Sequence, residues 1–279
     1  MSEYLRPSDL DEALQALGSK RWVVLAGGTD FYPARVGQPL DDDVLDITAL
    51  SMRGIDDRTD HYHIGSLITW TDLIRADLPP WFRGLQLAAR EIGGVQIQNA
   101  GTLCGNVCNA SPAADGVPNL LALEARVEMA SRGGTRSVPI DEFITGNRQT
   151  LLQPDELVTG LTIPKPRRVA VANFLKLGAR KYLVISIAMV AVVVEVEPDE
   201  TLAGARVAVG SCSVVALRLA ELEADLVGRS LSEPLGGVVR PEHLAPLSPI
   251  DDVRGSAEYR REAALSLVRR ALDGLGAAQ

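Results

Sequence analysis

Val24-Leu25-Ala26-Gly27-Gly28-Thr29-Asp30-Phe31 and Ala100-Gly101-Thr102-Leu103-Cys104-Gly105-Asn106 are the two stretches on which the reading of this 279-residue chain turns. The first follows an apolar run, Trp22-Val23-Val24-Leu25, which predicts a short buried strand ending where the glycines begin. Gly27 and Gly28 are free to take positive φ and to let the backbone approach a ligand. Successive N–H groups in such a turn can converge on an anion, and Thr29 adds a hydroxyl. Gly-Gly-Thr-Asp is also ordinary turn chemistry, so this loop alone leaves both readings open. The second stretch runs into Asn109-Ala110-Ser111-Pro112-Ala113-Ala114-Asp115, which gathers backbone donors, a hydroxyl, an amide and a carboxylate within a short span. That concentration points to a phosphate-bearing organic cofactor.

Two familiar phosphate loops are disfavoured by their fixed offsets. Neither stretch has the Lys-Ser/Thr pair of a Walker A loop. The dinucleotide fingerprint needs Gly-x-Gly-x-x-Gly opening a helix, whereas Gly27-Gly28 leads into Phe31-Tyr32-Pro33, where the proline opposes a long helix. Ser111-Pro112 predicts a helix start, with serine as cap and proline in the first turn. The spacing of Val117, Leu120, Leu121 and Leu123 supports a short buried helix after it. Asp115 then falls in the first turn, either as a partner of the helix dipole or as an acceptor for cofactor hydrogen bonds.

These motifs, in this order and at this separation, resemble the FAD-binding medium subunit of the molybdenum hydroxylases, the xanthine dehydrogenase and carbon monoxide dehydrogenase type enzymes. The resemblance spans nearly the whole chain. It implies an α+β fold: a PCMH-type (vanillyl-alcohol-oxidase-like) FAD-binding domain of two α/β lobes over residues 1–166, then a smaller α+β domain like the carbon monoxide dehydrogenase flavoprotein C-terminal domain over 167–279. Carried over by position, it implies FAD contacts at Leu25, Ala26, Gly27, Gly28, Thr29, Asp30 and Phe31, and at Thr102, Gly105, Asn106 and Asp115. Val158, in the Leu157–Pro164 strand, and Lys176, in the Phe174–Arg180 stretch, complete the set. Lys176 is expected near the pyrimidine edge of the flavin, where a cation favours the reduced, anionic form; the alternative is a surface lysine closing an ion pair. Phe31, Tyr32 and Tyr182 are candidates for stacking or for packing. Cys104 stands where the family most often has glycine, and is therefore expected at negative φ.

The implied function is electron transfer. Substrate is oxidised at a molybdopterin centre on a large partner subunit, and electrons reach FAD through [2Fe–2S] clusters on a small one. They leave to NAD or another acceptor, in an assembly expected to be a dimer of heterotrimers. No residue of this chain is then needed as an acid or base, and no metal is expected on it. Two rivals remain at this point: a free-standing flavin oxidase, for which three histidines are a poor supply, and a non-catalytic assembly module without FAD, against which the intact glycine stretches argue.

Composition adds bounds. With 46% hydrophobic and 23% charged residues the chain is an ordinary globular one. A net charge of −8 and no basic stripe give nucleic-acid binding no support. Cys104, Cys108 and Cys212 are too few for a four-thiolate cluster and read as free thiols, consistent with a reducing cytoplasm. His61 and His63 read as solvent-face residues of a strand, since no third ligand is near. The amino terminus lacks the basic and apolar segments of a signal peptide. The most apolar run, Tyr182 to Val196, is short of the roughly twenty residues needed to cross a bilayer.

Along the chain, Ser8 is expected to cap a first helix with Leu10, Ala13, Leu14 and Leu17 on one face and Gly18 at its end. Strands are expected at Trp22–Leu25, Val44–Ile47, from His61, at Arg126–Ala130, at Ser137–Pro139 and before Pro164. Helices are expected from Thr71 and over Pro80–Ile92. Pro164-Lys165-Pro166-Arg167-Arg168 reads as a stiff connector and domain boundary. Beyond it, Val169–Lys176, Ile185–Val196 and Ala203–Ser211 read as strands, the middle one with a possible helical start. Leu217–Val227 and Glu258–Leu275 read as helices.

Overall fold

The computed structural model describes residues 2–37, 39 and 41–276; the outermost residues of the two expected domains, Met1 and 277–279, lie outside them. Strand β1 (Tyr4–Leu5), helix α1 (Leu10–Leu17), β2 (Val23–Leu25) and β3 (Val44–Asp46) form a small lobe with parallel strand order β1-β3-β2. The helical spacing of α1 places Ala13, Leu14 and Leu17 in one core with Trp22, Leu45 and Ile47. Its cap is Asp9 rather than Ser8. The Asp9 carboxylate accepts the Glu12 amide at 2.9 Å, and Ser8 instead donates its amide to the Glu12 side chain. Aspartate satisfies the same free donor and adds negative charge at the positive helix end.

The second lobe opens with the hairpin β4 (Ile55–Asp57) and β5 (His61–Gly65). It continues through helices α2 (Trp70–Arg75), α3 (Arg83–Glu91), α4 (Val95–Ala100), α5 (Leu103–Asn109) and α6 (Gly116–Ala122). Strands β6 (Arg126–Ser131) and β7 (Gly134–Pro139), the short α7 (Ile140–Phe143), the β8 (Ile144–Gly146) and β9 (Gln149–Thr150) hairpin and β10 (Leu157–Pro164) complete it. The antiparallel sheet runs β4-β5-β10-β6-β7.

Three local expectations are corrected here. Thr69, not Thr71, caps α2, in a reciprocal pair with Asp72. The second glycine stretch is no open loop: Gly101 and Thr102 are a tight junction, and Leu103 onward is helical with Thr102 as cap. Helix α6 begins at Gly116 instead of Ser111, because the carbonyls ahead of it are engaged elsewhere. Ser111 O closes a turn with the Ala114 amide, and Pro112 O accepts the Ser211 amide at 3.0 Å.

The remaining chain forms an antiparallel sheet of order β11-β12-β13-β14 from β11 (Val169–Leu177), β12 (Ala188–Val196), β13 (Leu202–Gly210) and β14 (Leu217–Arg218), followed by α8 (Ala220–Leu226) and α9 (Ala257–Asp273). The expected helix from Leu217 yields its first two residues to β14, and β12 starts at Ala188 without a helical turn. Strand β12 reads as an apolar run from Ala188 to Val194 because both of its faces are buried there. Met189, Ala191 and Val193 share a core with Trp81, Phe82, Leu85 and Leu120 of the second lobe. Val190, Val192 and Val194 share another with Leu222, Leu226, Leu267 and Val268 of α8 and α9. The C-terminal sheet is thus a middle layer, with α3 and α6 on one side and α8 and α9 on the other.

Candidate functional site

Strand β2 ends at Leu25, whose side chain is buried, and the backbone then turns through Gly27 and Gly28. Each glycine is required for a different reason. Gly28 has φ +71°, in the left-handed region. Gly27 lies against the α4–α5 junction so closely that a Cβ on it would stand 1.9 Å from the Ala100 carbonyl oxygen and 2.9 Å from Gly101 Cα. From the other side, a Cβ on Gly101 would meet Thr29 Oγ1 at 3.2 Å. The two glycine stretches therefore interlock, backbone to backbone. Among the described residues, the amides of Gly27, Gly28, Thr29, Asp30 and Phe31 donate to no protein acceptor, while Tyr32 and Ala34 donate back to the Gly28 and Asp30 carbonyls. The turn is held by its carbonyls, and its N–H groups remain unused.

Facing it, Thr102 Oγ1 accepts the Gly105 amide at 3.0 Å. The Asn106 side-chain oxygen accepts the Gly116 amide at 3.2 Å, which ties α5 to the start of α6. Asp30 is held by Asn109, whose Nδ2 donates to Asp30 Oδ2 at 2.9 Å, and Asn109 Oδ1 in turn accepts from Arg148 Nη1 at 2.5 Å. Arg148 sits in the β8–β9 turn and donates its amide to Ala110 O. This clip of Asp30, Asn109 and Arg148 was not foreseen from the sequence; Asn109 lies in the motif, but Arg148 carries no local signal.

A second cluster forms one residue before Gly116. Asp115 and Lys176 meet at 2.7 Å, with side chains 7% and 4% exposed. Ser186 donates its hydroxyl to the other Asp115 oxygen, and Lys176 also reaches the Glu91 and Val184 carbonyls at 3.3 and 3.4 Å. Burial pushes the Asp115 carboxyl up, opposed by Lys176 and by the Ser186 hydrogen bond. Burial likewise raises Glu91. Lys176 is neither a surface lysine nor an unpaired cation. It closes a buried ion pair, and Ser186, in an apolar run, is the member that sequence pattern did not reveal.

The other expected positions are more scattered. Val158 lies in β10 opposite Met129, next to a bulge, with its side chain in the core, so only its backbone is available to a ligand. Phe31 packs edge-on to Tyr32 and under the Arg35 guanidinium at 4.0 Å, while Tyr182 is 69% exposed. His61 and His63 alternate with buried Tyr62 and Ile64 as expected, but are half-buried and paired, His61 with Asp60, His63 with Asp56 and Glu128. Cys104 is at negative φ inside α5, its side chain in the core and its thiol pushed well up by burial. A helical position accepts any side chain that fits, which is how cysteine is accommodated there.

Unused amides beside Gly27, where the backbone leaves no room for a Cβ, and a threonine hydroxyl with its proton free suit a diphosphate. The nearest carboxylate, Asp30, is already engaged by Asn109. The residues present fit FAD, and the fold and site are those expected of the class of proteins that take a phosphate-bearing organic cofactor. Residues 1–166 match the FAD binding domain in molybdopterin dehydrogenase, and residues 173–275 match the CO dehydrogenase flavoprotein C-terminal domain. The chain is 30% identical to the glyceraldehyde dehydrogenase medium chain of Sulfolobus acidocaldarius, with 96% of each covered. It is also 30% identical to the nicotinate dehydrogenase FAD-subunit of Eubacterium barkeri, over 96% of this chain and 94% of that one. Its fold superposes on a chain of carbon monoxide dehydrogenase from Hydrogenophaga pseudoflava with TM-score 0.90 and 28% identity, covering 99% and 98% of the two. The chain belongs to the FAD-binding medium subunits of the molybdenum hydroxylases, the carbon monoxide dehydrogenase and xanthine dehydrogenase flavoprotein family, and is an oxidoreductase subunit of that type.

Among the described residues no helix is long and apolar enough to cross a membrane.

Proposed function

We propose that Leu25 to Phe31 with Thr102, Gly105 and Asn106 hold the FAD diphosphate, that Asp115, Lys176 and the Val158 backbone meet the flavin end, and that the chain works beside a molybdopterin-binding large subunit and a [2Fe–2S] small subunit. Bound FAD would supply electron transfer between the [2Fe–2S] clusters and NAD or another acceptor, the redox chemistry being that of the cofactor. The observation that carries the reading is the interlock of Gly27 with Ala100 beneath a row of unused amides.

On this reading the protein's contribution is position and charge. The five amides offer fixed dipoles to the diphosphate at no cost of rearrangement. Thr102 accepts from Gly105, so its hydroxyl proton is left to donate. Lys176 and Asp115 largely cancel at a distance and act on the flavin as an oriented dipole. The Pro164–Arg168 connector as the boundary between 1–166 and 167–279 is supported by the two matched ranges. The names of the relatives, medium chains and FAD-subunits of several dehydrogenases, support the assembly and differ in substrate. Affinity purification of the tagged chain from its native cells tests all of this at once. The expected product carries one flavin per chain, seen by its visible absorption bands, together with an iron–sulfur chain and a molybdenum-containing chain. A flavin-free monomer would refute it.

A further inference from the structure

Arg260 lies in α9 and is 3% exposed. Its Nη1 donates to the Ile187 and Ser211 carbonyls at 2.6 and 3.1 Å, and its Nη2 to Asp252 at 2.7 Å. Ile187 is anchored from the other side as well, its amide donating to Leu177 O at 2.7 Å, one residue beyond Lys176. Ser186, 2% exposed, precedes this doubly anchored residue and donates to Asp115. Ser211, at φ +63°, donates its amide to Pro112 O, three residues ahead of Asp115. Arg260 therefore grips the backbone beside Ser186, which donates to the Asp115 carboxylate, and at Ser211, which holds the chain three residues ahead of it. Its own Nε and the Ser211 hydroxyl are buried without a partner among the described residues. Two unsatisfied polar atoms and a buried charge are a poor way merely to fix a helix to a sheet, which apolar packing does more cheaply.

We propose that Arg260 is a positioning residue: by fixing the Ile187 and Ser211 backbones it keeps the Ser186 hydroxyl on Asp115, and so lets the C-terminal domain orient that carboxylate toward the flavin. Only the last clause rests on the FAD reading. A plain staple between α9 and the sheet makes a different prediction, because its loss would act on stability and not through Ser186.

The test uses the full chain with carboxyl-labelled aspartate, in which the Asp115 resonance is identified by its loss in Asp115→Asn. Lys176 and Glu91 are the charged groups facing it. Ser186→Ala removes a donor to the ionised form, so the Asp115 midpoint rises, by about 0.5 pH unit or more. Arg260→Lys raises it in the same direction. In the Ser186→Ala background Arg260→Lys adds less than half of that shift, since only the Ser211–Pro112 contact with the backbone ahead of Asp115 is left for it to act through. Asp252→Asn, a milder loosening of the same guanidinium, gives a smaller shift of the same sign and stands in if Arg260→Lys does not fold. Equal shifts in both backgrounds, or a lowered unfolding midpoint with Asp115 unmoved, overturn the proposal. FAD fluorescence titration reads the last clause: Kd rises about threefold or more with Arg260→Lys when Ser186 is present, and less than about 1.5-fold when it is not. Failure of the wild-type chain to take up FAD counts against the cofactor reading, while the titration coupling still judges the positioning claim.

Discussion

Replacing Gly27 by alanine adds one methyl group at the tightest backbone contact of the site. The new Cβ would stand 1.9 Å from Ala100 O, 2.6 Å from Ala100 C and 2.9 Å from Gly101 Cα. All three are backbone atoms, so no side chain can swing aside, and the two glycine stretches must part by about 1.5 Å at the Ala100 oxygen to reach ordinary contact. Overpacking of this kind costs about 1–3 kcal/mol, and the absence of any flexible neighbour puts Gly27→Ala near the upper end. A site loosened by about 1 Å loses roughly 100-fold in function, so FAD affinity should fall by about that factor. Gly28→Ala is the control. There the penalty is the left-handed backbone, about 1–2 kcal/mol, and the atom in the way belongs to Tyr32, which is 61% exposed and free to move. Gly28→Asn should recover part of the loss, since asparagine tolerates that region, whereas no side chain should be accepted at Gly27. Urea unfolding and FAD fluorescence titration read the two effects. A Gly27→Ala chain as stable as wild type to within about 0.5 kcal/mol, with unchanged FAD affinity, would refute the interlock.

Lys176→Met leaves the Asp115 carboxylate buried without its cation, a loss of about 3–5 kcal/mol at neutral pH. Asp115 already titrates above its ordinary range in the folded chain, and loss of Lys176 raises it further. The folded state then holds its proton where the unfolded one has released it, so the deficit is small below the unfolded aspartate pKa, grows as pH rises from the unfolded to the folded value and levels off above it; urea unfolding from pH 4 to 8 reads this, and adding Asp115→Asn should restore part of the loss. Glu156 behaves oppositely. The Arg136 guanidinium at 2.5 Å holds its carboxyl below the usual range, giving stability that is present above the unfolded glutamate pKa and lost as pH falls through the folded value. Arg136→Ala should therefore cost about 1 kcal/mol at pH 7, discounted for a guanidinium that faces solvent, and almost nothing near pH 3, by urea unfolding at the two pH values. Asn109→Ala breaks the clip between Asp30 and Arg148; because both partners reach water it should lower stability by no more than about 1.5 kcal/mol, yet weaken FAD binding several-fold in the same fluorescence titration.

How much of this was legible beforehand depended on whether a residue's partner was near it in the chain. Gly28 at positive φ, Gly18 ending α1 and the period of α9 follow from local rules, as does the valine-rich run of β12. Thr102 capping α5 did not emerge, because Leu103-Cys104-Gly105 is a weak helical sequence, and its Leu103 and Cys104 side chains are held in the core. The Ser111 start failed for the opposite reason, a good local signal overridden when Ser211 took the Pro112 carbonyl. Asp115 was weighed as a cofactor acceptor from its place after Ser111-Pro112, but Lys176 was reached through resemblance alone, and at a sequence separation of 61 nothing local announces the pair. Ser186 and Arg260 were not reached at all. One lies in an apolar run, the other on a helix rich in arginine, and only the sheet that separates them in sequence brings them to one place.

The position of the ion pair gives that middle sheet a role beyond packing. Lys176 lies near the end of β11, with its ammonium at the carbonyl end of α3, where Glu91 O accepts from it; Asp115 immediately precedes the amino end of α6. The helix ends thus offer the sign of charge that each member prefers, which makes the buried pair tolerable where two apolar residues would otherwise do as well. Both helices belong to the second lobe and β11 to the C-terminal sheet, so the pair exists only when that sheet is docked. If FAD lies where the glycine stretches and Asp115 suggest, its flavin end is completed by the C-terminal domain. The cofactor then binds to a surface that neither half of the chain makes alone, and its affinity becomes a direct measure of how firmly the two are joined.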